Sequence, residues 1–322
     1  MLAMILAAGL GTRLRPLTLV RPKVLVPVSG MPVFEFLVHR LHQSGVEAVM
    51  VNAFQLKDEM VAAVRENKWP VPIHVRLEPI LLGTGGGLRN FLDLMRADES
   101  FIALNGDIIC DAPFDHLYRL HLDTGGRVSL LLHDCPEFNN VAVDPDDRIL
   151  AFGREAVDLK KVRPELRLLA FTGIHFLDPS VLKDLPAGEP SEIIPVYRGL
   201  IERGEPPRAL YHPGLFWRET GSIEAYFRLN IELAGMREGV LNPLATGRRI
   251  CIHPRSHVSP GARLDGVVHV GKDSRIAEGS RLEDVIIWDG VDVRAGSRLR
   301  RCIVADGVTI SGVHEGEVLH VR

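Results

Sequence analysis

The residues with the most chemical content lie together in residues 6–23. Gly9 and Gly11 follow an apolar run at the start of the chain, and four cations come within the next dozen residues: Arg13, Arg15, Arg21 and Lys23. Glycines let backbone N–H groups approach oxygen atoms because no Cβ stands in the way. The whole chain carries a net charge of -3, which gives no general attraction for anions. The segment therefore predicts a small anionic ligand that is held locally.

Two common phosphate-binding loops do not fit this segment. The dinucleotide fingerprint requires a third glycine three residues after the second, where this chain has Leu14. The P-loop requires Gly-Lys followed by Ser or Thr, which the segment lacks. Its place after a predicted first strand is nevertheless where open α/β sheets bind ligands. An exposed loop with solvated arginines is the alternative.

Composition excludes several classes of protein. The 322 residues, 46% hydrophobic and 25% charged, suffice for one large globular domain and a smaller one. With a net charge of -3 and no basic patch, nucleic acid is not expected as a partner. The four cysteines are far apart, which predicts reduced thiols in a cytoplasmic protein: Cys110, Cys135, Cys251 and Cys302. The apolar start is too short to span a membrane.

Short apolar runs alternate with amphipathic stretches up to about residue 234. This alternation predicts an α/β domain with a Rossmann-like mixed, mostly parallel sheet. Strands are predicted over 1–7, 48–52, 73–77, 101–104, 128–132, 141–143, 168–176 and 208–211. Helices are predicted over 33–42, 57–65, 87–95, 191–203 and 222–233.

The rest of the chain carries a repeat of six residues. Six aliphatic residues keep this interval without interruption: Ile252, Val258, Leu264, Val270, Ile276 and Leu282. After a slip of one residue near Ile287, Val293 and Leu299 resume it. The period is typical of hexapeptide-repeat β-helices and predicts about three coils. We therefore expect an α/β domain over 1–234, a linker over 235–249 and a short left-handed parallel β-helix over 250–322.

Residues 6–23 resemble the signature of the sugar-1-phosphate nucleotidyltransferases, in which a Gly-x-Gly-Thr-Arg loop is followed by a Pro-Lys pair. The resemblance extends through four later strings in the same order: Leu82-Gly83-Thr84-Gly85-Gly86-Gly87, Asn105-Gly106-Asp107, Phe171-Thr172-Gly173 and Trp217-Arg218-Glu219-Thr220-Gly221-Ser222. Within the family, the chain is most similar to mannose- or heptose-1-phosphate guanylyltransferases and N-acetylmuramate-1-phosphate uridylyltransferase. The resemblance implies transfer of a nucleoside monophosphate from a nucleoside triphosphate, GTP favoured, to a mannose-like sugar 1-phosphate, with Mg²⁺ as cofactor.

The resemblance also implies roles for individual residues. Arg13 would neutralise the departing pyrophosphate, and Lys23 would contact the α-phosphate or the sugar phosphate. Asp107 and Glu219 would hold the metal, although the family usually has aspartate at the position of Glu219. The nucleotide would be bound by Leu6, Ala7, Ala8, Gly9, Gly11, Thr12, Glu78, Gly83, Thr84 and Gly85. The sugar phosphate would be bound by Asn140, Arg154, Thr172 and Gly173.

Several alternatives stay open from the sequence. Glu78 either accepts from a guanine amino group or is simply solvated, and the enzyme transfers either guanylyl or, on another sugar, uridylyl or thymidylyl groups. The unusual Glu219 also allows a non-catalytic regulatory subunit that binds nucleotide sugars. A hexapeptide acyltransferase that uses a histidine of the tail is a further candidate. We expect the β-helix to build a homo-oligomer.

Overall fold

A computed structural model describes residues 1–237, 239, 241–245 and 247–321. The predicted linker therefore lies partly outside the described residues, as does Arg322. The chain packs as two compact units, each made of two stretches. The first unit is Met1–Gly9 with Leu37–Trp217, and the second is Leu10–Phe36 with Arg218–Arg322. This division by packing differs from the predicted domain boundaries, which stay a prediction.

Strands and short helices alternate along the first two-thirds of the chain. The strands are β1 Leu2–Leu6, β2 Pro27–Val28, β3 Met31–Pro32, β4 Ala48–Ala53, β5 Ile73–Leu77, β6 Phe101–Asn105, β7 Ile108–Cys110, β8 Val128–His133, β9 Val141–Val143, β10 Ile149–Phe152, β11 Arg167–Leu177, β12 Arg208–Tyr211 and β13 Trp217–Glu219. The α-helices are α1 Val33–Gln43, α2 Lys57–Glu66, α3 Gly83–Arg89, α4 Phe114–Thr124, α5 Arg154–Val162, α6 Ile193–Glu202 and α7 Ile223–Gly235. Single 3₁₀ turns span Thr12–Leu14, Leu17–Leu19, Lys23–Leu25, Leu92–Leu94 and Pro179–Leu182.

One mixed sheet forms the centre of the first unit. Its order is β10-β9-β11-β6-β1-β4-β5, and β8 pairs with both β11 and β12. Strands β5, β4, β1 and β6 are parallel neighbours, whereas β11 runs antiparallel to β6. Residues Ala3, Met4 and Ile5 of β1 are completely buried, because both faces of a central parallel strand are covered. The predicted mixed α/β sheet is confirmed, and the carboxyl ends of its parallel strands share one edge.

The helix predicted over 87–95 is wrong in its bounds. Helix α3 begins at Gly83 and ends at Arg89, and a separate 3₁₀ turn covers Leu92–Leu94. Glycine has a low helix propensity, so the pattern placed the start after the glycines. In the structure these glycines are buried against another part of the chain, and this packing outweighs their propensity. Helices α4 and α5 were not predicted.

Short parallel strands make up the chain after residue 249. They are β14 Ile250–Ile252, β15 His257–Val258, β16 Arg263–Val270, β17 Arg275–Ile276, β18 Arg281–Ile287, β19 Asp292–Val293, β20 Arg298–Arg300, β21 Ile303–Val304, β22 Thr309–Ile310, β23 Val313–Glu315 and β24 Val318–Leu319. Their sheets have the orders β14-β16-β18-β20-β23 and β15-β17-β19-β22, and β21 joins β18 to β24. This C-terminal parallel-strand region (residues 250–319) is consistent with a β-helix.

The repeat of six residues sets the register of these strands. Leu264 pairs with Leu282, eighteen residues later, and Leu282 pairs with Leu299, seventeen later. The register shifts where Asp265 to Val268 of β16 faces Glu283 to Val285 of β18. The stretch that is one residue shorter lies on β18, close to the slip predicted near Ile287. Most periodic aliphatic residues are buried in one core. In the described residues, β14, β16, β18, β21 and β24 stack in succession, which is more than the three coils expected.

Of the helices in the described ranges, none combines the length and the apolar character that crossing a bilayer requires. The four cysteines are free thiols, and Cys110 and Cys302 are buried.

Candidate nucleotidyltransferase site

The ends of two neighbouring strands bring several predicted site residues together in the first unit. Leu6 at the end of β1 is in register with Asn105 at the end of β6. The N–H of Gly106 donates to the carbonyl oxygen of Leu6 over 2.9 Å. Ala7 and Asp107 follow directly on these two residues. The predicted nucleotide-binding segment and the predicted metal ligand Asp107 therefore lie at the same edge of the sheet.

A series of buried hydrogen bonds supports this edge. Its central residue, Asn52, was not predicted from the sequence. The N–H of Ala7 donates to Asn52 Oδ1 over 2.8 Å, and Asn52 Nδ2 donates to Glu78 Oε1 over 2.6 Å. The N–H of Leu82 donates to Glu78 Oε2 over 3.0 Å. Glu78 is only 2% exposed, so the alternative of a solvated Glu78 is wrong. The one sequence signal for Asn52 is a polar residue in the otherwise apolar strand β4.

The glycine string after Leu82 packs against the residues that precede α6. The N–H groups of Gly85 and Gly86 donate to the carbonyl oxygen of Ser191 over 2.8 and 3.1 Å. A Cβ on Gly86 would lie 2.7 Å from a backbone oxygen. The hydroxyl of Thr84 donates to Glu192 Oε2 over 2.7 Å. These groups hold the turn from β5 into α3, and their contact with a nucleotide stays a prediction.

Two predicted sugar-binding residues, Thr172 and Gly173, belong to the middle of β11. The Thr172 hydroxyl is buried and donates to the carbonyl oxygen of Leu131 over 2.8 Å. Gly173 has a φ of +80°, and a Cβ there would lie 2.4 Å from Asn105 Nδ2. Glycine is therefore required where the side chain of Asn105 lies against β11. Both residues shape the strand that runs beside Asn105, close to Asp107.

The other two sugar candidates lie where β9 and α5 begin. The N–H of Asn140 donates to the carbonyl oxygen of Leu169 on β11, and the N–H of Gly153 donates to that of Asn140 over 2.7 Å. Arg154 starts α5, and its side chain is 95% exposed and lies 3.7 Å from Asp158. The structure thus brings Arg154 near the backbone of Asn140, with its guanidinium in solvent.

A closed turn carries the predicted phosphate-binding residues of the second unit. Gly11 has a φ of +57°, and a Cβ on it would lie 2.7 Å from Thr18 Cγ2. The Thr18 hydroxyl donates to the carbonyl oxygen of Gly11 over 2.8 Å, and the N–H of Leu14 donates to the same oxygen over 3.0 Å. Leu14 is fully buried, whereas Thr12 and Arg13 are exposed. The buried Leu14 and the hydrogen bond from Thr18 hold the turn, and the side chains of Thr12 and Arg13 lie at the surface.

Arg13 lies beside Glu219, the predicted second metal ligand. Arg13 Nη1 is 3.4 Å from Glu219 Oε1, and the side chains are 67% and 26% exposed. A Cβ on Gly221 would lie 2.5 Å from that oxygen and 3.1 Å from Arg13 Nη2, so glycine leaves room for the pair. Exposed ion pairs contribute little to stability. Both groups can therefore exchange this contact for a ligand at small cost.

The remaining cations of the segment differ in their surroundings. Arg15 is exposed, and Lys23 begins the 3₁₀ turn Lys23–Leu25 in a partly buried position. The sequence groups Arg21 with the phosphate-binding cations, but its guanidinium donates to Asp306 over 2.6 and 2.7 Å. Arg21 therefore differs from the exposed Arg13 and Arg15 in being paired with a carboxylate of the protein.

A family model described as nucleotidyl transferase matches residues 2–235. The chain belongs to the nucleotidyl transferase family. A second model, described as the GMPPB C-terminal domain, matches residues 246–317 of this nucleotidyltransferase. Together the two matches cover both the residues of the site and the C-terminal parallel-strand region.

Named relatives place the nucleotidyltransferase among the enzymes that act on sugar 1-phosphates. It is 32% identical to a mannose-1-phosphate guanylyltransferase of Mycobacterium tuberculosis, over 91% of this chain and 81% of that protein. It is 25% identical to a UTP–glucose-1-phosphate uridylyltransferase of Synechocystis, over 90% of this chain and 83% of that protein. The chain is thus a sugar-1-phosphate nucleotidyltransferase, similar to mannose-1-phosphate guanylyltransferases.

Solved structures agree on the fold. HddC of Yersinia pseudotuberculosis superimposes with a TM-score of 0.59 at 20% identity, and covers 72% of the nucleotidyltransferase and 98% of its own chain. The same protein complexed with GMP-PN gives a TM-score of 0.58 at 21% identity.

The two predicted metal ligands, Asp107 and Glu219, are carboxylates, a ligand type that suits a divalent metal bound together with phosphate. Within the described residues, no group of three or more His, Cys, Asp or Glu side chains gathers as a metal site. Mg²⁺ in phosphoryl-transfer enzymes usually takes one or two carboxylates, and phosphate oxygens and waters complete its shell. Asp107 and Glu219 are both partly exposed. Asp107 belongs to the first unit and Glu219 to the second, and their binding of one ion stays a prediction.

Proposed function

We propose that this nucleotidyltransferase transfers a GMP group from GTP to a mannose-like sugar 1-phosphate, and so forms a GDP-sugar and pyrophosphate with Mg²⁺ as cofactor. The observation that carries the proposal is the turn closed by Gly11 and Thr18, which presents the Arg13 guanidinium beside the Glu219 carboxylate. An exposed cation beside an accessible carboxylate suits a metal-bound triphosphate. The choice of guanine and mannose rests on the relative from Mycobacterium tuberculosis.

The proposed reaction is a single displacement at phosphorus. An oxygen of the sugar phosphate forms a bond to the α-phosphorus of GTP. The bond between the α-phosphorus and the oxygen that bridges it to the β-phosphorus breaks, and pyrophosphate leaves with that oxygen. A phosphate monoester has a second pKa of about 6 and is largely ionised at neutral pH, so the nucleophile needs no protein base. The protein's contribution is therefore positioning and charge neutralisation.

We assign the charge neutralisation to four side chains. Arg13 would stabilise the negative charge of the departing pyrophosphate, and Lys23 would contact the α-phosphate or the sugar phosphate. Asp107 and Glu219 would hold Mg²⁺, which supplies positive charge against the phosphate oxygens when bound. Glutamate is one methylene longer than the usual aspartate at this position, and it already contacts Arg13.

The rest of the predicted site would bind the two substrates. We propose that the nucleotide is held by Leu6, Ala7, Ala8, Gly9, Gly11, Thr12, Gly83, Thr84 and Gly85. Glu78 would contribute by holding Asn52 and Leu82 in place, as its two hydrogen bonds suggest. The sugar phosphate would meet Asn140, Arg154, Thr172 and Gly173. The exposed guanidinium of Arg154 is free to fork around a phosphate after leaving Asp158.

A second candidate is a uridylyltransferase, because the relative from Synechocystis is named as one and aligns over nearly the same part of the chain. Thymidylyl transfer is a third candidate, and nothing specific favours it. We also propose that the C-terminal parallel-strand region is a left-handed β-helix and that it builds a homo-oligomer. The cytoplasmic location stays a prediction.

The proposal is tested by measuring pyrophosphate release. GTP, UTP, ATP and dTTP are each combined with mannose 1-phosphate, glucose 1-phosphate and N-acetylmuramate 1-phosphate, with Mg²⁺ and with EDTA. We expect the fastest release with GTP and mannose 1-phosphate, and none with EDTA. Faster release with UTP would support the second candidate. No release with any pair would contradict nucleotidyl transfer.

A further inference from the structure

Arg21 lies in the segment 6–23 that resembles the family signature. It donates hydrogen bonds to two carboxylates of the C-terminal parallel-strand region, which belongs to the same compact unit. Its Nε donates to Asp306 Oδ2 over 2.6 Å and its Nη2 to Asp306 Oδ1 over 2.7 Å. Nη2 also donates to Asp289 Oδ2 over 2.7 Å. The guanidinium carbon lies 5.4 Å from the ring centre of Trp288. With only 20% of the side chain exposed, Arg21 is held on several sides.

The two carboxylates are themselves fixed by the stacked turns that carry them. The N–H of Asp289 donates to Asp306 Oδ1 over 3.0 Å, and the N–H of Lys272 donates to Asp289 Oδ1 over 2.7 Å. A Cβ on Gly271 would lie 2.6 Å from that oxygen. Each carboxylate thus accepts from a backbone N–H of the neighbouring turn as well as from Arg21. The positions of the two carboxylates that contact Arg21 therefore depend on how neighbouring turns stack.

Trp288 also connects the C-terminal parallel-strand region to Pro27, through the hydroxyl of Tyr226. Its Nε1 donates to the hydroxyl of Tyr226 over 3.0 Å, and that hydroxyl donates to the carbonyl oxygen of Pro27 over 2.5 Å. Trp288 and Tyr226 are fully buried. The segment 21–27 is therefore anchored at both ends, by Arg21 and by Pro27. Lys23 lies between the two anchors.

The contact with Asp306 and Asp289 stabilises the charged form of Arg21. Burial alone would lower the pKa of Arg21, but the hydrogen bonds and charge of Asp306, and then those of Asp289, raise it. Charge-assisted bidentate pairs are among the stronger hydrogen bonds in proteins. Three N–H···O contacts, from Nε and Nη2, thus direct the guanidinium of Arg21 to the two carboxylates.

We infer that Arg21, Asp289, Asp306 and Trp288 are positioning residues for nucleotidyl transfer, which hold the segment 21–27 and through it place Lys23. The C-terminal parallel-strand region thereby takes part in catalysis without touching a substrate. The inference rests on the proposed role of Lys23. It gives a function to a part of the chain that supplies none of the predicted substrate contacts.

The test compares two matched ion pairs of the same region. Asp306→Asn removes the charge of the carboxylate that accepts two of the three hydrogen bonds from Arg21. Asp273→Asn removes the charge from an equally bidentate pair, in which Arg255 Nε and Nη2 each lie 2.8 Å from Asp273. A misplacement of about 1 Å can cost about 100-fold in rate. We expect Asp306→Asn to lower kcat about 10- to 100-fold, and Asp273→Asn to leave kcat unchanged.

Two further variants separate positioning from general stability. Arg21→Lys keeps the charge but not the fork, and we expect its kcat to lie between those of the wild type and Arg21→Gln. In a Lys23→Ala background, Asp306→Asn should produce no further fall in kcat, because its effect passes through Lys23. A further fall, or equal kcat values for Asp306→Asn and Asp273→Asn below their melting temperatures, would overturn the inference.

Amide hydrogen exchange supplies a readout that does not depend on turnover. We expect faster exchange of the amides of residues 23–28 in Asp306→Asn, and wild-type exchange in Asp273→Asn. If the wild type releases no pyrophosphate with any substrate, the proposed function fails. Hydrogen exchange alone then tests whether Asp306 holds the segment 21–27 through Arg21. Unchanged exchange in Asp306→Asn would then show that it does not.

Discussion

The two glycine-rich stretches of this nucleotidyltransferase use the same residue type for different purposes. In the buried glycine stretch (residues 82–87), a Cβ on Gly85 or Gly86 would lie within 3.0 Å of atoms of residues 189–192. In the signature turn (residues 9–18), a Cβ on Gly9 would have nothing within 4 Å. Glycine allows close packing of protein on protein in the first stretch, whereas Gly9 in the second stretch faces open space.

The polar groups around the two stretches differ in the same way. The buried glycine stretch ends against Glu78, whose two oxygens accept from Asn52 and Leu82 inside the protein. The signature turn presents Arg13 to solvent, with one weak contact to Glu219. Changes in the first stretch should therefore affect stability, and changes in the second should affect activity. The following predictions test this distinction, from the largest expected effect to the smallest.

Arg13→Ala should have the largest effect on activity. We expect kcat for pyrophosphate release to fall about 100- to 1000-fold, as for other donors that neutralise charge in a transition state. The melting temperature should not change, because the side chain is 67% exposed. Arg228→Ala is the matched control, since Arg228 is exposed on α7 of the same unit. A fall of less than about threefold would exclude the proposed role of Arg13.

Glu78→Gln should act on stability first. The amide has a single acceptor oxygen, so one of the two N–H groups that Glu78 holds loses its partner. We expect the free energy of unfolding to fall by about 2 kcal/mol in urea titrations. The exposed Glu205→Gln should change it little. The ratio of GTP to UTP turnover should stay constant. A loss confined to GTP would mean instead that Glu78 contacts guanine.

Gly86→Ala and Gly9→Ala compare the two stretches directly. A Cβ on Gly86 would lie 2.7 Å from the carbonyl oxygen of Glu189, and we expect overpacking to lower the free energy of unfolding by about 1–3 kcal/mol. Gly9→Ala meets no protein atom within 4 Å, so its unfolding should be unchanged while KM for GTP rises. Equal stability losses in both variants would break the distinction.

Acid should weaken the fold through three buried histidines. Burial lowers the pKa of His121 to about 4, of His175 to about 3 and of His269 to about 4, against about 6.5 in the unfolded chain. Between these values the unfolded state binds more protons, so stability present above about pH 6.5 is lost as the pH falls towards 4. Urea midpoints at pH 7.5, 6 and 5 measure this fall.

The control for acid compares a buried and an exposed histidine. His269→Leu removes one of the three buried groups and should make the fall in stability shallower. His257 is exposed, so His257→Leu should leave the fall as in the wild type. An identical pH dependence in all three proteins would mean that His269 is not one of the groups responsible.

Local patterns sufficed for much of this protein. The apolar runs of β1, β4, β5 and β6 predicted parallel strands, and the repeat of six residues predicted the buried side chains of the C-terminal parallel-strand region. The signature segment, with the later strings in the same order, predicted the family. Each of these signals depends on residues that are close in the chain, where spacing alone fixes which face a side chain occupies.

Only the tertiary structure decided which polar residues work together. Asn52 and Glu78 are 26 residues apart, and Arg21 and Asp306 are 285 apart. In the sequence, Glu78 could be interpreted as solvated and Arg21 as a phosphate ligand, because a charged residue carries no local mark of its distant partner. The structure shows that both side chains contact other groups of the protein. The sequence thus determined the family and the residue types of the predicted site, and the fold determined which of its charged side chains are paired with other protein groups.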